Sequence, residues 1–267
     1  MLAFLYIGWS DHASLINRTT RVNHPEECTV KALLLAGGYA TRLMPLSRDT
    51  PKPLLTIKGR AAMDYVLDSL KGIQIDGVFV LTNRRFAESF ESWRKERRIN
   101  VEFLVEDSSA ESEKPGAIAA ILNAIRALGD DDYIVIAGDN VFTMSLGDMY
   151  KYFKSRDAPV VGIYDVRETK LATMYSTVET DEKGRIVKML EKPKHPEGTL
   201  IVTCIYILPK GIGEMLQQYL ASGGHKDSPG YFVEWLSKRT VVYGYPVTGK
   251  WFDVGTTEAL ERAQKEI

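Results

Sequence analysis

Short apolar runs and amphipathic stretches alternate along the chain from Val30 onward. Each run is about as long as a buried strand, whereas the stretches between the runs carry apolar residues at helical spacing. The pattern predicts strands over 31–36, 78–81, 101–105 and 133–137, and helices over 63–70, 86–97, 118–128 and 146–153. This alternation is typical of a doubly wound sheet with helices on both faces.

After residue 156 the predicted strands follow one another more closely. Strands are predicted over 160–164, 175–180, 186–190, 200–208 and 241–245, with a turn at Asp181–Gly184 between two of them. Helical spacing returns over 212–219, and Thr256 or Thr257 could cap a last helix. We expect the two halves to share one Rossmann-like, mixed and mostly parallel α/β sheet, with a ligand cleft along its strand ends.

Residues 1–29 show no clear period and precede the first strong strand. The apolar run Leu2–Trp9 is far shorter than a membrane span and follows no basic region, so we expect neither a membrane helix nor a signal peptide. The expected organisation is an extension over 1–29 and one domain over 30–267, with a first half over 30–155 and a second over 156–267. The extension could be a partner-contact arm or the product of an upstream start codon.

Composition narrows the classes of function. Thirty-four basic and 35 acidic residues give a net charge of −1, so no broad basic surface for nucleic acid or an anionic membrane is expected. The two cysteines, Cys28 and Cys204, and four scattered histidines match neither a disulfide framework nor a zinc site. We therefore expect a cytoplasmic protein whose phosphate-binding groups are confined to one place.

Three segments near predicted strand ends suit phosphate chemistry. The segment Leu35–Leu43 holds two glycines, which let backbone N–H groups approach a phosphate or a base, and Arg42, which can grip phosphate oxygens. Prolines on both sides of Lys52 fix the backbone that carries it. Asp139 directly follows a strand and is well placed to bind Mg²⁺. Each segment could instead be structural: a tight turn, a stiff surface loop and an Asx turn.

Two later segments, Glu191–Pro193 and Trp251–Thr256, contain further charged residues. Taken alone, either could be structural, and Asp253 could be no more than a turn or capping residue. Together with the three earlier segments they resemble the sugar-1-phosphate nucleotidyltransferase family, which includes glucose-1-phosphate thymidylyltransferases and mannose-1-phosphate guanylyltransferases. The resembling segments are 35–43, 51–55, 137–140, 191–193 and 251–256, in the family's order. The resemblance covers residues 31–267.

The resemblance implies a single GT-A-like nucleotidyltransferase domain. It implies an enzyme that joins a nucleoside triphosphate to a sugar 1-phosphate, releases pyrophosphate and uses Mg²⁺. It also implies roles for the residues at matching positions. The implied catalytic set is Arg42, Lys52, Asp139 and Lys192. The implied nucleotide-binding set is Ala36, Gly37, Gly38, Glu106 and Gly116. The implied sugar-binding set is Glu191, Lys192 and Cys204, and the implied metal ligands are Asp139 and Asp253.

Two positions depart from the family pattern. Ala40 stands where many members have glycine, which narrows the backbone conformations open to that turn. Cys204 stands where glycine is usual, close to the sugar in the family. A thiol there could narrow the sugar pocket, or Cys204 could be a small core residue.

The choice of base depends on Glu106 in the segment Phe103–Asp107. Members that use uridine or thymidine triphosphate often have glutamine there, and an amide both donates and accepts hydrogen bonds. A carboxylate only accepts, which favours guanine with its two adjacent N–H donors. The sequence therefore indicates a slight preference for a guanylyl substrate. Asp107 could take the same role, since residues 108–114 form an insertion. Residues 108–113 could also serve as a flexible lid.

Two other functions remain open at this point. One is a glycosyltransferase of similar fold, in which Asp139 holds a metal and a nucleotide diphosphate. The other is a non-catalytic sugar-nucleotide sensor, which is expected to have lost a metal aspartate or a phosphate-binding cation. Because these residues are all present in the sequence, we expect an enzyme. Family relatives often form dimers or tetramers, so a homo-oligomer is a further expectation.

Overall fold

The computed structural model describes residues 5–7, 30–39, 43, 50–108 and 110–267. The strands, in chain order, are β1 (Leu5–Ile7), β2 (Val30–Leu35), β3 (Thr56–Ile57), β4 (Arg60–Ala61), β5 (Ile75–Asn83), β6 (Glu102–Glu106), β7 (Asp132–Ala137), β8 (Asn140–Phe142), β9 (Val160–Asp165), β10 (Ser176–Thr180), β11 (Ile186–Glu191), β12 (Leu200–Leu208), β13 (Tyr243–Pro246) and β14 (Trp251–Asp253). The helices are α1 (Ala62–Ser69), α2 (Ala87–Arg97), α3 (Ala117–Leu128), α4 (Gly147–Lys154), α5 (Thr169–Ala172), α6 (Ile212–Ala221), α7 (Pro229–Ser237) and α8 (Thr257–Glu266).

A ten-stranded mixed sheet forms the centre of the molecule. Its main path runs β1-β6-β5-β2-β7-β12-β10-β11, and β9 and β13 branch from β12. Strands β6, β5, β2 and β7 are mutually parallel, which confirms the prediction for the first half of the domain. Strand β12 runs antiparallel to β7 and joins the second half to the same sheet. The expected mixed, mostly parallel sheet is therefore present.

The parallel strands are apolar along their whole length because helices cover both faces of the sheet. In β2, Leu33 packs into one core cluster and Leu34 into the other, and both are fully buried. Helices α1, α2 and α4 contribute to the cluster of Leu34, and α3, α6 and α7 contribute to the cluster of Leu33. This two-sided burial explains why the strands appear in the sequence as continuous apolar runs.

Strand β12 changes its neighbour along its length. Its first residues pair with β10, and Ile205–Leu208 pair with β7. Strand β9 follows the opposite edge of β12 and then pairs in parallel with β13. Because β12 is antiparallel to β7, its residue Cys204 lies beside the carboxyl end of β7.

Some elements were not predicted from the sequence. Strands β8 and β14 form a separate antiparallel ladder, β3 and β4 form a small hairpin, and α5 is a single helical turn. Strand β13 begins at Tyr243, two residues later than predicted. These elements are too short to show a period, so long-range pairing defines them.

The extension contributes one strand to the sheet. Residues Leu5–Ile7 pair antiparallel with β6 at the edge, although no strand was expected before residue 30. The other residues of the extension, 1–4 and 8–29, lie outside the described part of the chain. In the part that is described, no helix has the length and apolar character needed to cross a membrane.

Candidate functional site

A cleft of about 390 Å³ opens where the carboxyl ends of the parallel strands meet. The strand registers align Leu35 with Leu81 and Ala137, and Asn83 with Glu106, so β2, β5, β6 and β7 end at one edge of the sheet. The cleft brings together every predicted site residue that the structure describes: Ala36, Gly37, Gly38, Lys52, Glu106, Gly116, Asp139, Glu191, Lys192, Cys204 and Asp253. Arg42 and Ala40 lie outside the described residues.

Backbone groups after β2 line one end of the cleft. The Ala36 N–H donates to the Leu81 carbonyl at 2.8 Å, which continues the sheet for one residue. The Asn83 side chain donates to the Gly37 carbonyl at 3.0 Å and fixes the turn. Among the described residues, nothing lies within 4 Å of the position that a Cβ would take at Gly38, which lines the cleft. This end of the cleft can therefore receive a ligand close to the backbone.

Lys52 begins a 3-10 turn, Lys52–Leu54, between the two prolines. Its ammonium lies 3.6 Å from the Asp139 carboxylate, and both side chains are about one-fifth exposed. A Cβ at Gly138 would lie 2.6 Å from the Met63 methyl and 3.1 Å from Pro53, so glycine lets the two turns pack together. The packing of Gly138 against the proline turn thus places a cation beside a carboxylate on the cleft wall.

Asp253 reaches the same region through the β8–β14 ladder, which pairs it with Asn140. The Val254 N–H donates to the Asp139 carbonyl at 3.0 Å and ties the two segments together. Charges on Asp253 and Asp139 both raise the pKa of Tyr175, although burial of the phenol is the larger cause. The charges of the two carboxylates therefore both reach the same side chain in the cleft.

The donor set at this place fits a hard cation. No group of three or more His, Cys, Asp or Glu side chains that could hold a metal occurs among the described residues. Two carboxylates without further protein ligands suit Mg²⁺, which keeps several waters and is commonly completed by substrate phosphates. Asp139 and Asp253 could hold such an ion when a phosphate ligand is present.

Cys204 lies deeper in the cleft, next to the end of β7. Its carbonyl accepts a hydrogen bond from the Asn140 side chain at 3.4 Å, which links β12 to the turn that carries Asp139. Burial raises the pKa of the Cys204 thiol to about 12, and the charges of Asp139 and Asp253 act in the same direction. The thiol is therefore neutral at physiological pH and contributes volume to the pocket.

Glu191 and Lys192 line the cleft at the end of β11. The Glu191 side chain is only 3% exposed, whereas that of Lys192 is half exposed, and its ammonium lies 3.5 Å from the Glu191 carboxylate. Lys192 adopts a left-handed backbone conformation with φ of 46°, and its N–H donates to the Tyr175 carbonyl at 3.1 Å. The bend therefore places Lys192 beside Tyr175, and both residues line the cleft.

The sequence reasoning missed the residues that hold Glu191. Ser176 donates to one carboxylate oxygen, and Ser228 donates to the other at 2.6 Å. The Glu191 N–H donates to the Glu234 carboxylate at 2.9 Å. Ser228 precedes Pro229 at the start of α7, a typical helix-capping position. That pattern could indicate the helix start, but nothing in the sequence shows that the serine hydroxyl bonds Glu191.

Glu106 ends β6 and lies against the glycine turn. It is 8% exposed, and one of its carboxylate oxygens lies 3.9 Å from the position a Cβ would take at Gly37. Burial and, to a smaller extent, the charge of Asp227 raise the pKa of Glu106, the charge of Lys114 lowers it, and the net result is a pKa of about 7. Asp107 is instead exposed and pairs with Arg84 at 2.7 Å. The geometry therefore favours Glu106 over Asp107 as the residue that faces a ligand.

Gly116 lies where the β6–α3 connection meets the segment before α7. Its φ is 92°, and a Cβ there would lie 2.5 Å from the Lys226 carbonyl. The Ile118 N–H donates to that carbonyl at 2.9 Å. Lys114 and Asp227, neither of which was predicted as a site residue, form an ion pair of 2.7 Å across this contact. Gly116 is therefore required by close packing at the cleft wall.

Known proteins resemble this chain over most of its length. The family model described as "Nucleotidyl transferase" matches residues 31–267. A Sulfolobus acidocaldarius protein named as a candidate mannose-1-phosphate guanyltransferase is 30% identical over 240 residues, which cover 89% of this chain and 63% of that protein. A glucose-1-phosphate thymidylyltransferase of Streptomyces antibioticus is 25% identical over 242 residues, which cover 89% of this chain and 66% of that protein.

The chain thus spans about two thirds of the length of these two relatives. A crystal structure from Bacillus anthracis, named as a candidate glucose-1-phosphate thymidylyltransferase in complex with a sucrose, superposes with a TM-score of 0.77. It is 23% identical, and the match covers 89% of this chain and 94% of that one, so it supports the fold. The family match over residues 31–267 shows that this chain belongs to the nucleotidyl transferase family.

Proposed function

We propose that this chain transfers a nucleotidyl group from a nucleoside triphosphate to a sugar 1-phosphate, with release of pyrophosphate. The observation that carries the proposal is one cleft lined by two cations, Lys52 beside Asp139 and Lys192 beside Glu191. Two phosphate-bearing substrates must meet in such a reaction, so positive groups are needed on both sides of the meeting point. The names of the relatives from Sulfolobus acidocaldarius and Streptomyces antibioticus support the same reaction class.

The nucleotide is proposed to lie at the glycine turn. Backbone groups of Ala36, Gly37 and Gly38 line that end, and Glu106 is the polar side chain that faces the base. Lys52 lies between this end and Asp139, where it can neutralise the triphosphate. Arg42 is proposed to assist it, on the strength of the sequence motif alone.

The sugar 1-phosphate is proposed to lie against Glu191 and Lys192. Lys192 is half exposed and can bind the phosphate, whereas both oxygens of Glu191 already accept a serine hydroxyl. A carboxylate oxygen can accept two hydrogen bonds, so each retains one position for a sugar hydroxyl. Cys204 lies between the two ends of the cleft and limits the volume that is open to the sugar.

In the proposed step an oxygen of the sugar phosphate forms a bond to the α-phosphorus. The bond from that phosphorus to the bridging oxygen breaks, and pyrophosphate leaves with the bonding electrons. The attacking oxygen is already anionic, so no strong general base is needed, and positioning and charge neutralisation by Lys52 and Lys192 carry the catalysis. Asp139 and Asp253 are proposed to hold Mg²⁺, which supplies charge neutralisation on the phosphates when bound.

Guanine is the base that we favour. The buried Glu106 carboxylate can accept from two adjacent N–H groups, as guanine presents them. The name of the Sulfolobus acidocaldarius relative agrees with this preference, whereas that of the Streptomyces antibioticus relative indicates thymidine.

Pyrophosphate release tests the proposal directly. The purified protein is incubated with Mg²⁺ and each pair drawn from a panel of nucleoside triphosphates and sugar 1-phosphates. We expect release only when both substrates are present, and formation of an equal amount of nucleotide-sugar. Binding of a nucleotide-sugar without release from any pair would indicate a sensor instead, and sugar transfer from a nucleotide-sugar to an acceptor would indicate a glycosyltransferase.

The substitution Asp139→Asn tests the proposed metal site. It keeps the shape of the side chain but removes the charge beside Lys52, so turnover should fall by at least about a hundredfold. Asp148→Asn, at an exposed carboxylate on α4, is the matched control and should leave turnover unchanged. Full activity of Asp139→Asn at the same Mg²⁺ concentration contradicts the metal assignment.

A further inference from the structure

The Glu106 side chain lies at the nucleotide end of the cleft, and no described residue donates a hydrogen bond to its carboxylate. It is 8% exposed and lines the cleft. Within the described part of the chain, only its backbone carbonyl accepts a bond, from the Arg84 N–H at 3.1 Å. Because its carboxylate faces the cleft and can only accept, a ligand that brings N–H groups into the cleft can pair with it.

Among the described residues, Lys114 is a cation near the same end of the cleft. Lys114 lines the cleft with its side chain one-fifth exposed, and Asp227 holds its ammonium at 2.7 Å. Within the described part of the chain, the charges of Lys114 and Asp227 act on Glu106, whereas Arg84 and Asp107 form an exposed pair of their own. The cleft thus offers a carboxylate that can only accept and an ammonium that can only donate.

The backbone fixes the place of this ammonium. The Lys226 carbonyl accepts from the Ile118 N–H at 2.9 Å and packs against Gly116, which joins the segment before α7 to the start of α3. His225 accepts from the N–H groups of Asp227 and Ser228 through one ring nitrogen, at 3.3 and 3.2 Å. Asp227 is therefore held on a fixed turn, and Lys114 is held by Asp227.

Guanine matches this pair of groups more closely than the other bases do. Its N1–H and N2–H groups are adjacent donors for a carboxylate, and O6 and N7 are acceptors for a lysine. Uracil and thymine place a carbonyl oxygen on each side of their single N–H, so a carboxylate there meets at least one acceptor. Adenine offers no carbonyl oxygen to the lysine.

We propose that Lys114, held in place by Asp227, is a second base-reading residue that binds the O6 and N7 edge of guanine while Glu106 binds its N–H groups. This assignment rests on the proposed nucleotidyl transfer and names the base for it. Asp227 is a positioning residue, because it acts on the base through Lys114.

The test compares Lys114→Met with the wild type on guanosine and uridine triphosphates, each with a saturating sugar 1-phosphate. Methionine keeps the length of the side chain but removes the ammonium. We expect kcat/KM for guanosine triphosphate to fall about tenfold to a hundredfold, and kcat/KM for uridine triphosphate to change less than about threefold. Lys210→Met, at an exposed lysine outside the cleft, is the control and should change neither value.

The pH dependence of guanosine diphosphate binding supplies a second readout. Binding needs the ionised form of Glu106, whose pKa is about 7 in the free protein, so affinity should rise with pH through that value. Lys114→Met removes a charge that lowers this pKa and should move the midpoint upward. Asp227→Asn removes a charge that raises it and should move the midpoint downward. A purely structural ion pair gives no such opposite shifts.

Two results overturn the proposal. One is an equal loss for both nucleotides in Lys114→Met, which means that the lysine only supports the cleft wall. The other is that both variants keep the wild-type preference for guanosine over uridine nucleotides and the wild-type pH midpoint of binding. Calorimetric binding of guanosine and uridine diphosphates keeps the test independent of turnover. If no substrate pair releases pyrophosphate, the proposed function fails, but the binding preference still confirms or overturns the role of Lys114.

Discussion

At the scale of single residues, the cleft combines side chains whose surroundings set their charge. Glu106 lies where little water reaches it, and burial holds its pKa at about 7, near neutral pH. Cys204 stays neutral for the same reason, since burial and two carboxylates raise its pKa to about 12. Lys52 and Lys192 are more exposed and each lies beside a carboxylate. Among these side chains, Glu106 is therefore expected to change its protonation state most when a ligand binds.

Glu106 also makes the stability of the ligand-free protein depend on pH. Its folded pKa, about 7, lies above its ordinary value of 4.5, so the native state keeps this proton to a higher pH than the unfolded chain. The free energy of unfolding therefore falls as the pH rises from about 4.5 through 7.

Glu106→Gln removes this dependence. The free energy of unfolding of this variant, minus that of the wild type, should increase by roughly 2 kcal/mol between pH 5.5 and 8.5. Urea denaturation at the two pH values measures this difference. The control Glu182→Gln, at an exposed turn, should show no growth, and a constant difference for Glu106→Gln contradicts the raised pKa.

At the scale of elements, helix α7 sets the wall of the cleft that carries Glu191. Ser228 stands at the N-cap position, but its hydroxyl bonds Glu191 and makes no capping bond within the helix. Glu234, in the middle of α7, accepts from the Glu191 N–H and pairs with Lys238 at 2.6 Å. The first two turns of α7 therefore fix the end of β11, and with it the start of the segment that carries Lys192.

Gly230 tests this coupling between α7 and β11. A Cβ at this position would lie 1.9 Å from a Glu191 carboxylate oxygen, so Gly230→Ala must push the carboxylate or the helix aside. We expect KM for the sugar 1-phosphate to rise at least about tenfold, KM for the nucleoside triphosphate to change little, and stability to fall by about 1–3 kcal/mol.

Gly198→Ala is the matched control for this change. Gly198 has nothing within 4 Å of its Cβ position, so steady-state kinetics and thermal melting should match the wild type. Equal changes in both KM values of Gly230→Ala would mean that α7 supports the whole cleft and not its sugar end.

At the scale of the whole molecule, the C-terminal segment completes the site begun by the first half of the chain. Strand β14 pairs with β8, and Phe252 and Val254 pack with Ile57 and Val141 in a small core cluster that also includes Ala263 of α8. This cluster holds Asp253 on the same side of the cleft as Asp139. The proposed metal site therefore depends on a contact between residues more than a hundred positions apart.

Phe252→Ala should loosen this contact without touching either carboxylate. The side chain is 7% exposed, so its removal should lower the free energy of unfolding by about 3 kcal/mol. We expect the Mg²⁺ concentration for half-maximal turnover to rise several-fold, as measured by titration well below the melting temperature. Val187→Ala, at a side chain 64% exposed, should leave both quantities unchanged. If Phe252→Ala is destabilised but its Mg²⁺ requirement is unchanged, the core cluster does not support the proposed metal site.

Local sequence patterns were sufficient to predict most of the main strands and helices. A buried parallel strand is apolar along its length and a covering helix is apolar on one face, so β2, β7, α3 and β12 could be located without tertiary information. The glycines and charged residues at strand ends likewise indicated the cleft, because parallel strands end at one edge of a sheet. The sequence motifs, which resemble those of one family, indicated the reaction class.

Only the tertiary structure decided which side chains meet within that cleft. Asp253 pairs with Asn140 only through a ladder of three residue pairs. The Glu191 carboxylate accepts hydrogen bonds from serines on two different elements, and Lys114 forms an ion pair with Asp227, which lies 113 positions away. The physical reason is that hydrophobic period reports which face of an element is buried, whereas contacts between distant polar residues depend on strand register and on how helices pack. The sequence of this protein thus determined its elements and the edge where its chemistry lies, and the packing of α7 and β14 decided the arrangement of charges there.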